Sequence, residues 1–409
     1  MLAGHGGVRV SILLCMNVVV LGGTAHSTPA LWSYLVNEAR LEGLDVKLVG
    51  RDPHRLAAVT RACRLLGSSD ANRLRSAVAS NGFPAEIFRQ ANVVLIQIRN
   101  GGYAARAFDE TFPLAYGVVG DEGLGPGGLS AGIRNWKAIE PALSRISEIA
   151  PDAVVLMMSS PVGLLVGASK RRFPHLTLAG ICELPWTTLT TTCLAAGIDP
   201  AGARFEYFGI NHLGWLYGIA GSGRDIAPDV PLKYMRLHEQ SATVVDEQRR
   251  AERPRGADLD QMSRQAVQVY AKADAVQISE FVERRTTPWY RHAVGPLIAA
   301  FAGRDVPGVF FLSVRNEGFD AAYRNDDVLE YAHCAMSGKL QRLQRHQPIP
   351  PHMLDVISRF VDYERLAMEA VLSARTEDVV NALRIHPWVQ GCANLRQMAR
   401  DIVNYAHTC

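Results

Sequence analysis

The chain has 409 residues, of which 48% are apolar and 20% charged, a composition typical of soluble globular proteins. Its 43 basic and 40 acidic side chains give a net charge of +3 without a basic run, which argues against nucleic-acid and membrane partners. The length exceeds one ordinary hydrophobic core, so we expect two domains, or one large domain with an elaborated second half.

The cysteines and the N-terminus favour a cytoplasmic protein. The seven cysteines are odd in number and show no framework spacing, which predicts reduced thiols. The segment VRVSILLCMNVVVLGG enters a Gly-Gly turn without a small-residue cleavage site, so we interpret it as a strand rather than a signal peptide. Residues 1–15 are expected to be an N-terminal extension. No apolar run reaches the roughly 18 residues that a membrane span needs.

Short apolar runs alternate with helical patterns through the first half of the chain. Strands are predicted at NVVVLGG, DVKLVGRD, ANVVLIQIRN, PDAVVLMMSSPVG and LTLAGICELP, and helices at TPALWSYLVNEARLEG and HRLAAVTRACRLLG. This alternation predicts an α/β fold, with a Rossmann-type doubly wound parallel sheet over residues 16–195. Ligands of such sheets bind beyond the carboxyl ends of the strands.

The pattern changes in the second half, residues 196–409, which predict a mixed α+β domain. Strands are expected at FEYFGINHLGWLYGIAG and GVFFLSVRNEGF, and helices at VPLKYMRLHEQSATVVDEQRR and MLDVISRFVDYERLAMEAVLSA. The polar segment at residues 250–262 is typical of a mobile loop.

The first strand ends in Gly22 and Gly23, but Thr24 and Ala25 follow where a third glycine is usual. Two glycines that open a helix after the first strand allow phosphates to approach backbone N–H groups, which predicts a nucleotide site. The second strand ends at Gly50 and Arg51, without the acidic residue that holds an NAD ribose. Either Arg51 accommodates the 2′-phosphate of NADP, or Asp52 reaches the ribose of NAD; both alternatives remain open.

Several motifs follow one another along the chain. They are GGTAHSTPAL, the stretch from Gln97 to Leu129, PDAVVLMMSSPVG, GICELP, GINHLGW, ERRTTPWYRHA, RNEGF, YERLAMEAVL and HPWV. In this order they resemble a divergent member of glycoside hydrolase family 4, the nicotinamide- and divalent-metal-dependent family that includes 6-phospho-glucosidases, alpha-galactosidases and alpha-glucuronidases.

The resemblance implies a glycosidase that does not use the usual pair of carboxylates. In this family the nicotinamide oxidises the sugar C3 hydroxyl, a tyrosine removes the acidified C2 proton, and a divalent metal, usually Mn²⁺, stabilises the resulting enediolate. The aglycone is eliminated, water adds, and the hydride returns to C3. The expected cofactors are therefore one recycled NAD or NADP and Mn²⁺, and the expected assembly is a homodimer or homotetramer formed through residues 196–409.

The resemblance also implies roles for individual residues. Cys182 and His212 would be the catalytic metal ligands, and Tyr290 the base, with Arg285, Arg291 or the metal as the cation that lowers its pKa. The residues assigned to the cofactor are Gly22, Gly23, Thr24, Ala25, Gly50, Arg51 and Gln97. The residues assigned to the substrate are Arg99, Glu122, Ser160, Glu183, Asn211, Arg285 and Asn316.

Three departures from the family pattern bear on the substrate. Ser160 replaces an asparagine, Glu183 replaces the asparagine after the metal cysteine, and Asp121 replaces a glutamine. The two added carboxylates would supply metal ligands or repel an anionic substrate, so we expect a small glycoside that is not a 6-phospho-sugar, such as a neutral or amino sugar.

Two other functions remain open. A sugar oxidoreductase or epimerase would keep the C3 oxidation without cleavage, and a nucleotide-binding protein would have lost catalysis. Retention of Cys182, His212 and Tyr290 together argues against the second of these.

Overall fold

The computed structural model describes residues 15–68, 70–80, 82–226, 229–284, 287–306, 308–336 and 339–408. The predicted extension therefore lies outside the described residues, apart from Cys15. Within the described ranges, no helix combines the length and apolarity that crossing a membrane requires. The described cysteines are all unpaired.

A nine-stranded sheet forms the centre of the molecule, in the order β13-β12-β11-β6-β5-β4-β1-β2-β3. Its six parallel strands are β1 (Met16–Leu21), β2 (Leu44–Gly50), β3 (Arg73–Val78), β4 (Val93–Ile96), β5 (Val154–Met157) and β6 (Leu178–Cys182). Three antiparallel strands extend it: β11 (Val309–Arg315), β12 (Val328–Met336) and β13 (Lys339–Arg342). The predicted Rossmann-type sheet is confirmed.

The apolar composition of the central strands follows from their burial on both faces. β1, β4 and β5 read MNVVVL, VVLI and VVLM, and nearly every side chain in them is buried. One face packs against α4 (Gly125–Ile149), α5 (Val162–Arg172), α12 (Pro351–Ser373), α13 (Thr376–Ile385) and α14 (Leu395–Thr408). The other packs against α1 (Thr28–Ser33), α2 (Pro53–Leu66), α9 (Arg255–Lys272), α10 (Ala275–Glu283) and α11 (Gly295–Phe301).

A second, antiparallel sheet carries part of the candidate site. It contains β7 (Arg204–Ile210), β8 (Leu213–Gly221), β9 (Arg224–Ile226) and β10 (Val230–Pro231). The remaining helices are α3 (Gly102–Thr111), α6 (Leu184–Ala196), α7 (Met235–Glu239) and α8 (Ser241–Arg250). Asn211 and His212 form the tight connection between β7 and β8, and β7 packs on β12 of the large sheet.

The structure differs from the sequence-based expectation in three places. The expectation of a mobile loop over residues 250–262 is wrong from Arg255 onward, because α9 begins there and packs against α2 and α3. The edge strand β3 was missed, since RLRSAV is half exposed and lacks an apolar run. Strands β11–β13 come from the second half of the chain yet belong to the first sheet, so the two predicted segments interlock.

Candidate active site

The turn after β1 is closed by backbone hydrogen bonds and requires glycine. The N–H groups of Gly22 and Gly23 both donate to the Val49 carbonyl, at 3.1 and 2.8 Å, and the Ala25 N–H donates to the Gly22 carbonyl. Gly22 has φ +86°, and a Cβ there would lie 2.6 Å from the Gln97 carbonyl oxygen. This close approach of backbones at the carboxyl ends of β1 and β4 fits a dinucleotide phosphate.

The absent third glycine has a structural counterpart at the end of β2. The Thr24 methyl occupies the space into which a side chain at Gly50 would project. Asp52 caps α2, because its carboxylate accepts a hydrogen bond of 3.1 Å from the Arg55 N–H. Arg51 is exposed, and no described residue makes a hydrogen bond or ion pair with its side chain.

Gln97 connects the turn to Tyr290. Its amide nitrogen donates to the Gly22 carbonyl at 3.2 Å and to the Thr28 hydroxyl at 3.1 Å, and its amide oxygen accepts from the Tyr290 hydroxyl at 2.6 Å. Tyr290 is only 1% exposed, and burial raises the pKa of its phenol against the opposing hydrogen bonds from Ser27, Trp289 and Gln97.

The environment of Tyr290 does not support the predicted role as base. Its hydroxyl is already engaged at the nucleotide turn. The predicted cation Arg291 pairs instead with Glu38 and Glu283, at 3.1 and 3.2 Å. Arg285, the other candidate, lies outside the described residues. The Tyr290 hydroxyl instead holds Gln97 by a hydrogen bond at the nucleotide turn.

Cys182 and His212, the two predicted metal ligands, both lie at strand ends. Cys182 is the last residue of β6 and is buried, and burial raises the pKa of its thiol, with the nearby Glu330 adding to the effect. Burial and the charge of Arg106 lower the pKa of His212 to about 4, so the imidazole is neutral. Its Nδ1 is buried, has no hydrogen-bond partner among the described residues and is a free ligand atom.

His212 is held in an unusual backbone conformation. It has φ +71°, in the left-handed region that few residues other than glycine adopt. A Cβ on Gly123 would lie 3.2 Å from the His212 Nδ1, so the loop that carries Asp121 and Glu122 is packed against the imidazole. Backbone strain of this kind concentrates at functional sites.

Tyr234 links the two predicted ligands. Its ring stacks on the His212 imidazole, with centroids 4.6 Å apart and planes 9° apart. Burial raises the pKa of the Tyr234 phenol to about 12, and the charges of Asp121 and Cys182 add to that shift, which places the phenol near both. Tyr234 thus stacks on His212 and lies within electrostatic range of Cys182.

A buried carboxyl group lies near the two predicted metal ligands. Glu330 of β12 accepts hydrogen bonds from the Tyr207 hydroxyl at 2.6 Å and from the Asn211 side-chain amide at 3.4 Å. Burial raises its pKa to about 7, against the opposing hydrogen bonds of these two residues. Asn211 also lowers the pKa of the Cys182 thiol against the effect of burial, so Asn211, which precedes His212, is a neighbour of both predicted ligands.

Ion pairs between arginines and carboxylates lie next to the loop that packs on His212. Glu122 forms ion pairs with Arg99 and with Arg106, the latter at 2.5 Å, and Arg106 also pairs with Glu110 at 2.7 Å. Asp121 accepts from the N–H groups of Gly123 and Leu124, and burial raises its pKa to about 6. The structure brings Arg99 and Glu122 together, next to the loop that packs on His212.

The remaining predicted substrate residues differ in their placement. Burial also raises the pKa of Glu183, the N-cap of α6, whose carboxylate accepts from the Thr187 hydroxyl. The Ser160 carbonyl accepts from Asn135 at 2.7 Å, at the end of β5. Asn316 is fully buried, and its amide group is bonded to the Asp320 and Tyr323 backbones and the Tyr331 hydroxyl, so it holds its own loop rather than lining a pocket.

Sequence reasoning missed Tyr234, Arg106 and Glu330. Glu330 had a signal, because it is a lone carboxylate in the apolar run VLEYAHC. Arg106 had none, because it lies within α3 whereas Arg99 precedes that helix, and their shared ion pairs with Glu122 are visible only in three dimensions. Tyr234 had none, since a ring stacked on a histidine 22 positions away is visible only in three dimensions.

The chain matches two models of one family. Residues 17–195 match the Family 4 glycosyl hydrolase model, and residues 231–389 match the Family 4 glycosyl hydrolase C-terminal domain. This chain belongs to glycosyl hydrolase family 4. The resemblance stated from the motifs is confirmed.

Two curated relatives of this family 4 member are 6-phospho-alpha-glucosidase 1 of Lacticaseibacillus paracasei and the maltose-6′-phosphate glucosidase MalH of Clostridium acetobutylicum. They are 30% and 31% identical over 215 residues, which is 52% of this chain and 48% of each relative. The chain thus spans about half the length of these relatives.

Solved structures of family 4 enzymes share the fold over nearly the whole chain. A Thermotoga maritima 6-phospho-beta-glucosidase with NAD and glucose-6-phosphate has a TM-score of 0.84 at 22% identity, covering 95% of this chain and 98% of that one. A 6-phospho-alpha-glucosidase from gut microorganisms, with NAD and Mn²⁺, has a TM-score of 0.80 at 20% identity, covering 97% and 98%.

Proposed function

We propose that this protein is a glycosidase that cleaves its substrate by redox-assisted elimination, with a nicotinamide and a divalent metal as recycled cofactors. One observation carries the proposal: the Tyr234 ring stacks on His212 within electrostatic range of Cys182, and Cys182 ends a strand at the same sheet edge as the glycine turn. NAD and Mn²⁺ in the structures of family 4 enzymes support the choice of cofactors.

The cofactors and the residues of this chain would have separate roles in the reaction. When bound, the nicotinamide would take the hydride from the sugar C3, and the metal would act as a Lewis acid on the sugar oxygens. Cys182 and His212 would hold the metal, and the buried thiol would lose its proton when the metal binds. Gln97 and Tyr290 would keep the glycine turn closed.

Tyr234 is the base in this proposal and replaces Tyr290. Its ring stacks on His212, its phenol lies within electrostatic range of Cys182, and its side chain is less deeply buried than that of Tyr290. A cation held by Cys182 and His212 would oppose the effect of burial, because a nearby positive charge favours the phenolate. Tyr234 could then accept the C2 proton of a sugar bound to the same cation.

We further propose that the sugar carries no 6-phosphate, although the named relatives act on phosphorylated glucosides. Glu122 forms ion pairs with both Arg99 and Arg106 and so offsets their positive charge, and Glu110 forms a second ion pair with Arg106. Asp121 and Glu183 add two further carboxyl groups. Among the described groups the carboxyls therefore outnumber the arginines, which disfavours a phosphate dianion and suits a neutral or amino sugar.

Cofactor stoichiometry distinguishes this proposal from its alternatives. The protein is incubated with Mn²⁺, a reductant and each nicotinamide, against aryl glycosides with and without a 6-phosphate and against amino sugars. A glycosidase releases many equivalents of phenol per nicotinamide, an oxidoreductase accumulates reduced cofactor, and a binding protein does neither. Hydrolysis confined to the 6-phospho-glycosides would contradict the substrate proposal and leave the chemistry intact.

The location and assembly are part of the same proposal. A homodimer or homotetramer in the cytoplasm suits a site that depends on a reduced thiol at Cys182. Light scattering of the purified protein measures the number of subunits, and a monomeric mass would contradict this element.

A further inference from the structure

The end of β2 lacks the acidic residue that normally selects NAD. In dinucleotide-binding folds an acidic side chain near this position accepts a hydrogen bond from the ribose 2′-OH. Here the strand ends in Gly50, and the Thr24 methyl fills the space where a side chain at that position would begin. Threonine in the phosphate turn and an acid at position 50 therefore exclude each other.

The neighbouring carboxylate has another use. Asp52 accepts a hydrogen bond from the Arg55 N–H and caps α2, so turning it towards a ribose would leave that N–H without its partner. Arg55 is also committed, because its guanidinium donates to the Ser263 carbonyl at 3.3 Å on α9. Asp52 therefore does not replace the missing acid, and Arg55 does not compete for a ligand.

Of the three charged residues Arg51, Asp52 and Arg55, Arg51 is the one whose side chain remains available to a ligand. It directly follows the last residue of β2, is exposed, and has no hydrogen-bond or ion-pair partner in the part of the chain that the structure describes. A guanidinium offers paired N–H donors to phosphate oxygens, and an arginine at this edge is the group that accommodates a 2′-phosphate.

We propose that this protein selects NADP over NAD, with Arg51 binding the 2′-phosphate and the Thr24–Gly50 contact excluding the acid that would select NAD. The inference rests on the proposed function, which requires a nicotinamide at Gly22 and Gly23. It adds the identity of that nicotinamide and the residues that choose it.

Calorimetric titration of the full chain with NADP⁺, NAD⁺, 2′,5′-ADP and 5′-AMP tests the proposal without any turnover. We expect NADP⁺ to bind about 10- to 100-fold more tightly than NAD⁺, the range for hydrogen bonds to a charged group. 2′,5′-ADP should exceed 5′-AMP by a similar factor. Arg51→Ala should remove both preferences by weakening only the ligands that carry the 2′-phosphate.

A paired exchange tests the exclusion by Thr24. Thr24→Gly combined with Gly50→Asp makes room for the acid and should reverse the preference towards NAD⁺. Gly50→Asp alone should weaken both nicotinamides, because the new side chain meets the Thr24 methyl. Circular dichroism and a thermal melt of each variant establish that it is folded before titration.

The outcomes separate the inference from the proposed function. Wild-type protein that binds NAD⁺ as tightly as NADP⁺, or more tightly, overturns the inference and leaves the proposed function standing. An NADP⁺ preference that survives Arg51→Ala also overturns it. Wild-type protein that binds neither nicotinamide overturns both.

Discussion

The Tyr234 phenol is the single group on which the proposed proton transfer depends. Tyr234→Phe keeps the ring stacked on His212 and removes only the hydroxyl. We expect kcat to fall by about 10²–10⁴-fold, the usual contribution of a positioned acid or base, while the melting temperature and metal affinity change little. Steady-state kinetics with the best glycoside of the panel measures the effect.

Tyr290→Phe is the matched control for that measurement. It removes the hydrogen bond to Gln97 at the nucleotide turn, so we expect weaker nicotinamide binding and a much smaller loss of kcat at saturating cofactor. A larger kcat loss in Tyr290→Phe than in Tyr234→Phe would return the role of base to Tyr290.

Glu330 is, in this proposal, a positioning residue for the two predicted metal ligands. It orients Asn211, which precedes His212 and lowers the pKa of the Cys182 thiol against the effect of burial. Glu330→Gln should weaken Mn²⁺ binding by about 10–100-fold, the range for groups that orient metal ligands. Titration of the protein with Mn²⁺, followed by electron paramagnetic resonance of the free ion, measures this. Glu206→Gln, whose carboxylate bonds the His346 N–H instead, is a control with unchanged Mn²⁺ affinity.

Single functional residues could be proposed from the sequence where they lie at the end of a predicted strand. Cys182 and His212 could be proposed from sequence because each lies at a strand end within a motif. The role of Tyr290 stays a prediction, because neither its burial nor the direction of its hydroxyl can be derived from the sequence. The hydrogen bonds of Asn316 within its own loop likewise cannot be derived from the sequence.

At the scale of elements, the contact between α12 and α5 contains a titratable group. A Cβ on Gly163 would lie 3.2 Å from the Glu364 Oε1, and burial, reinforced by the charge of Asp327, raises the pKa of Glu364 to about 8. Because this pKa is raised above the unfolded value near 4.3, its contribution to stability is complete below that value and is lost as the pH rises through about 8.

Glu364→Gln therefore should remove a penalty that grows with pH. We expect the melting temperature of this variant, relative to wild type, to increase steadily between pH 5 and pH 8.5. Glu369→Gln, on an exposed face of the same helix, should show no such trend. Parallel trends for the two variants would contradict the assignment of the raised pKa to Glu364.

Strands were predicted best where both faces of the sheet are buried. The apolar runs of β1, β4 and β5 predict strands because both of their faces must be covered. β3 was not visible because one of its faces is exposed and charged. The start of α9 was taken for a loop because its helical conformation depends on packing against α2 and α3, which composition does not reveal.

At the scale of the whole molecule, the two halves of the chain share one sheet. β11 pairs with β6 through Phe311–Cys182, Leu312–Ile181 and Ser313–Gly180, and both faces of the sheet are covered by helices from beyond residue 250. Cys182, the predicted metal ligand, is thus held in place by a strand from the other half. Sequence alternation predicted the parallel part, but strand order across 130 residues is set by tertiary pairing.

This interlocking predicts that residues 16–195 do not fold alone. The isolated segment would expose the edge of β6 and the parts of both sheet faces that helices from beyond residue 250 cover, which favours aggregation. We expect no cooperative thermal transition from this fragment and a single transition from the full chain. Differential scanning calorimetry of both tests this, and two separate transitions in the full chain would contradict it.

Hydrogen exchange at the sugar C2 tests the central claim most directly. The protein, with Mn²⁺, a reductant and catalytic nicotinamide, turns over its best glycoside in heavy water, and the product sugar is analysed by NMR. The proposed elimination predicts deuterium at C2, because the proton taken by Tyr234 exchanges with solvent before it returns. Complete turnover to a product that retains its original C2 proton would contradict the account.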